Sequence, residues 1–136
     1  MRQWTDFQIA SHIPFLLVFF LCFYVKFYEM AILVGLVIIF SVSYHLRSEE
    51  RTIYSYIDNF TAFTLSMYGN VQLFYSPSSL IFSINLTLGI TSSLIFIIGY
   101  SKDFEEYYHV LHPIGMHILP AIWSGIVVVF QKPFIC

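Results

Sequence analysis

The chain has 136 residues, 58% of them hydrophobic and only 10% charged, with a net charge of −2. Soluble domains carry about 25% charged residues, so this composition, with a mean hydropathy of +0.76, excludes an ordinary soluble fold and predicts a polytopic membrane protein. No basic patch is available to neutralise phosphates, which excludes a nucleic-acid partner.

The length fits one domain, residues 1–136. A helix needs about 20 apolar residues to cross the hydrocarbon core. Phe7 to Val25 contains no Lys, Arg, Asp or Glu, and Lys26 closes it. It lacks a small-residue cleavage site and is expected to be a retained helix rather than a signal peptide. Met30 to Leu46 is the second apolar segment, ended by the charged turn Arg47-Ser48-Glu49-Glu50-Arg51. The next apolar stretch is too long for one helix, and Ser76-Pro77-Ser78-Ser79 divides it. Lys102-Asp103-Phe104-Glu105-Glu106 then precedes the last segment. The expectation is an all-α transmembrane bundle of about five spans, at residues 7–26, 30–46, 57–75, 79–100 and 109–130. Cys22 is mid-span and Cys136 is remote in sequence, so no structural disulfide is expected. Asn59-Phe60-Thr61 and Asn85-Leu86-Thr87 match a glycosylation pattern but fall at or inside the membrane.

Counting spans puts the end of the second, the start of the third and the start of the fifth on one face, here face A. His45, Asp58, His109 and His112 lie near that face, with His117 deeper. Arg2, Arg47, Arg51 and Lys102 also fall on face A, against Lys26 and Lys132 on the other. The positive-inside rule then makes face A cytoplasmic or matrix-like. The third span is unusually polar (Asp58, Asn59, Thr61, Thr64, Ser66, Asn70, Gln72) and is expected inside the bundle, lining a cavity. The first and fourth spans are expected to face lipid.

Ionisable groups in lipid are costly and usually functional. Ser41 and His45 are one helical turn apart and share a face. Asp58 opens the following span, where a carboxylate can orient a histidine ligand or a water. A catalytic zinc site takes three protein ligands and keeps one position open. His45 with two of the late histidines supplies such a set, and zinc would make water a hydroxide nucleophile near neutral pH. His109 and His112 are i, i+3. His112 and His117 are i, i+5, about 140° apart on a regular helix. A π-bulge would bring them together, and Pro113 between them disturbs the ladder. Blander roles suit the same residues: Asp58 as a helix cap, His45, His109 and His112 as interfacial residues. His12, tied to the others by no spacing, is expected at the interface.

The pattern Ser41-x-x-x-His45, then Asp58 at the head of the next helix, then His112-Pro113-Ile114-Gly115-Met116-His117 on the last, resembles the CREST superfamily. This group of membrane hydrolases and relatives includes the alkaline ceramidases, the progestin/adipoQ receptors and the myomaker-like proteins. The resemblance covers the second, third and fifth spans, roughly half the chain. The family usually has seven helices and a His-x-x-x-His pair; here there are five spans and one extra residue between His112 and His117. Losing two helices between the third and last preserves the membrane side of the histidines. The resemblance implies a zinc-dependent hydrolase, or an inactive relative, acting on a lipid amide or ester. His45, His112 and His117 would be ligands, with His109 as the substitute. Asp58 would be the acid/base or water-orienting group, and Ser41 would support the site or polarise the substrate carbonyl.

Two other classes stay open. Small, aromatic-rich, loop-poor chains also serve as non-catalytic accessory subunits of larger membrane assemblies such as respiratory complexes, with other membrane subunits as partners besides lipid. Two histidines at matched depth, such as His45 and His112, also suit haem ligation.

Overall fold

The computed structural model describes residues 7–46, 53–75, 78–99 and 107–130. Within them the chain is all-α. Helix α1 spans Phe7–Tyr24, α2 Tyr28–Leu46, α3 Ile53–Leu73 and α4 Ser79–Gly99. Helix α5 spans Tyr108–Phe130. Each of the five overlaps one of the expected apolar segments. The charged turns at 47–51 and 102–106 lie outside the described residues.

Three of these helices, α1, α2 and α5, are long and apolar enough to cross a membrane. Outward-facing Leu17, Phe20, Ile32 and Ile39 give them the apolar surface that lipid, not water, would cover. Together these features fit an integral membrane protein. Helix α4 carries a shorter apolar stretch, Ser79–Ile95. Helix α3 is diluted by its polar residues.

Helices α1 and α2 form a tight hairpin. The Phe27 N–H bonds the Cys22 carbonyl at 2.8 Å and the Lys26 N–H bonds Phe23 at 3.2 Å, which is the double bond of a Schellman turn. Lys26 takes the left-handed position, φ 61°, where glycine is the usual residue. Phe27 and Cys22, brought together by this turn, are both fully buried. The core continues through Phe15 and Val18 of α1, Met30, Ala31, Val34 and Val37 of α2, Leu65 of α3, and Ala121, Trp123, Val127 and Val128 of α5. Gly69 of α3 lets the Trp123 ring sit where a side chain would otherwise be.

Two expectations change here. Helix α1 is not simply a lipid-facing helix, because Phe15, Val18 and Cys22 enter the core. Helix α3 is not central. It packs along α2 but barely touches α4, and Phe60 and Phe63 face outward. Of its polar residues, Asp58, Thr61 and Gln72 are buried, while Asn59, Ser66 and Asn70 line, as expected, a cavity: an open cleft of about 770 Å³ between α3, α4 and α5. Helix α3 also starts at Ile53, four residues before the expected 57. Asp58 therefore lies in its second turn and does not cap it.

Candidate metal centre

The histidines converge through two local departures from regular helix. In α5, Pro113 has no N–H for the ladder and its ring crowds the preceding turn. The helix widens, and Pro113–Ile118 is π-helical. The Leu119 N–H reaches back five residues to the Ile114 carbonyl. This extra residue per turn aligns His112 with His117, whose ring centroids are 5.1 Å apart. The i, i+5 pair is thus rejoined by the bulge its spacing required.

The second departure lies in α1. Pro14 removes a ladder donor, and the turn before it tightens: the His12 N–H bonds Ile9 at 3.1 Å instead of Gln8 one residue further back. The released Gln8 carbonyl accepts the Ser11 hydroxyl at 2.5 Å and the His12 Nδ1–H at 2.9 Å. Ser11, its only hydrogen so committed, accepts from His117 Nδ1–H at 2.5 Å. One backbone carbonyl thereby fixes the tautomers of two histidines. Both are protonated at Nδ1, which leaves both Nε2 lone pairs available. A metal-binding histidine has this arrangement, with its second ring nitrogen donating to a carbonyl or similar acceptor.

His12, His45 and His117 are all buried, and one ligand atom from each lies within 4.8 Å of the others. A tetrahedral ion with bonds of ~2.0–2.1 Å needs ligand atoms about 3.3 Å apart, an adjustment within side-chain reach. The His12 ring is 4.0 Å from that of His117 and 5.8 Å from that of His45. The His45 and His117 rings are 5.2 Å apart. His12 Nε2 is buried with no hydrogen-bond partner among the described residues. In a hydrocarbon setting such a group calls for a ligand. The three residues could hold a metal ion by donor type and proximity, and His12 and His117 also present the matching tautomer.

The other expected site residues surround this group. Ser41 is buried, with its hydroxyl 3.5 Å from His117 Nε2, the outer limit of a hydrogen bond. The Asp58 carboxyl has Ser41 and His45 as its electrostatic neighbours. His112 is buried beside the group, its ring 5.4 Å from that of His45 and tilted against that of Tyr108 at 5.0 Å. His109 is half-buried and outside the three-residue group. The residue that sequence spacing missed is His12, only 4% exposed. It was expected at the interface, yet it replaces His112 in the tightest set. His12 lies on face A by the same count as the others, and Pro14 two residues later marks a break in that helix, but no spacing ties it to His45 or His117.

No family model, curated protein or solved structure matches the chain.

Proposed function

We propose that the protein is a zinc-dependent membrane hydrolase that cleaves a lipid amide or ester. The observation carrying this reading is the His12, His45 and His117 group, with His12 and His117 both held at Nδ1 by hydrogen bonds that end on one carbonyl, so that Nε2 is the lone-pair atom of each. Imidazole sets suit zinc, as they do copper, iron and nickel, and three such ligands with an open position are a catalytic zinc arrangement. When bound, zinc lowers the pKa of water to about 7 and polarises a carbonyl.

The chain's own residues supply the rest. The Asp58 carboxylate takes the proton from the attacking water and returns it to the leaving amine or alcohol. Ser41 donates a hydrogen bond to the carbonyl oxygen as negative charge develops there. The substrate enters laterally through the cleft between α3 and α4. The cleft wall includes Asn59, next to Asp58, and Met116, next to His117, so a substrate carbonyl would approach the histidines from that end of the cleft. The resemblance to the CREST hydrolases supports the same chemistry, with His12 standing where that family uses a second histidine of the last helix. Haem ligation by His45 and His112 has little support, because four imidazoles packed this closely leave no slot for a macrocycle.

The test is hydrolysis of N-acyl amine and ester lipids in mixed micelles by the purified protein. Release of fatty acid that stops on chelation, returns with zinc and falls by at least ~10²-fold in Asp58→Asn is the expected result. A metal-loaded protein that cleaves neither class would overturn the hydrolase reading and favour an accessory-subunit role.

A further inference from the structure

The cleft contains a second polar station, away from the histidines. Asn85 of α4 is 0% exposed, and neither its amide nitrogen nor its amide oxygen has a hydrogen-bond partner among the described residues. Trp123 of α5 is 6% exposed, and its indole N–H likewise has no partner. Both residues form part of the wall of the same cleft of about 770 Å³. Six residues separate Trp123 from His117, about 9 Å along the helix.

A buried polar group without a partner is costly in an apolar surround, and here two side chains in the wall of one cavity incur that cost. The volume lies within the usual range for small-molecule sites, where a few polar groups in an apolar wall fix the ligand's register. Leu65, Leu86 and Leu88 give the same wall hydrocarbon, and Asn59, Ser66 and Asn70 of α3 add further polar groups to it. Asn85 offers two donors and an acceptor, and Trp123 one donor. A hydrogen-bonding oxygen partway along an aliphatic chain satisfies this set; a plain chain leaves it unpaired.

We propose that the cleft selects a single-chain amphiphile bearing an oxygen function, a hydroxyl or ketone, near mid-chain, and that Asn85 and Trp123 are the residues that recognise it. The ligand class extends the lipid-hydrolase reading and rests on it, whereas the recognition itself requires no metal.

Trp123 makes the test direct, because the chain has only two tryptophans. In a Trp4→Phe background, 9,10-dibromostearic acid in the cleft quenches Trp123 fluorescence. Stearic acid and a series of hydroxystearic acids are then compared as displacing ligands, in the protein and in His45→Ala. Mid-chain hydroxystearic acids should displace the quencher about tenfold better than stearic acid. Asn85→Leu should erase that preference while leaving displacement by stearic acid intact, and should melt at a higher temperature in the absence of ligand because an unpaired amide is gone. Asn85→Ala gives the same readout in a smaller side chain. Absence of quenching, equal displacement by plain and hydroxylated chains, or a preference that survives in both variants would overturn the proposal. A preference that persists in His45→Ala, with no hydrolysis in any preparation, would leave the recognition standing and remove the catalytic reading alone.

Discussion

The two halves of the bundle are built to different standards. Helix α1 packs against both α2 and α5, and around it Phe15, Cys22, Phe27, Met30, Val34 and Val127 are all essentially sealed. The three histidines with the closest ligand atoms come from these same helices. Helix α3 packs along α2 and α4 along α5, but α3 and α4 barely touch each other, and their facing sides leave a cleft. Close packing holds side chains in single rotamers, which a metal site needs for its geometry. An open groove between loosely paired helices suits a ligand that must enter and leave sideways. The rigid half would hold the metal, and the open half would hold the lipid.

The largest effect that sharpens this contrast is on the ligands. Removing His45 or His117 by alanine should abolish metal binding, measured as metal content of the purified protein, while the helical circular dichroism stays unchanged. Next is Gly69→Val, which forces a side chain into the space of the Trp123 ring, where α3 leans on the dense half. Overpacking of this kind costs about 1–3 kcal/mol, occasionally more, and should appear as a lower melting temperature. Ser11→Ala tests the hydrogen-bond relay: losing a partner behind a ligand typically weakens metal binding 10–100-fold, with little change in melting. At the small end, Lys26→Gly relieves the left-handed turn of the α1–α2 hairpin and should stabilise the protein by about 1 kcal/mol. A Lys26→Gly protein that melts lower would place strain elsewhere in that turn.

Helix number and position were readable from apolar runs because lipid enforces length and composition on each segment. The π-helical turn was readable for a different reason. Five residues from His112 to His117, with Pro113 inside, admit few ways to share a face. The role of His12 was not readable, since it depends on contacts 33 and 105 residues away in sequence, to His45 and His117. No periodicity encodes such a meeting; it follows from the hairpin laying α1 against α2 and α5. The position of α3 was legible only in part: polar residues in an apolar chain suggest an interior helix, and Asp58, Thr61 and Gln72 are buried, but its other face is open. Here Asn59, Ser66 and Asn70 line a cleft open to one side, so wetting or a ligand, rather than burial, accommodates them.

The most direct test of the account compares His12→Ala with His109→Ala. Metal content by mass spectrometry should read about one zinc per chain in the unaltered protein and in His109→Ala, and close to none in His12→Ala. Zinc retained in His12→Ala but lost in His109→Ala would contradict the site described here and return the ligands to the last helix.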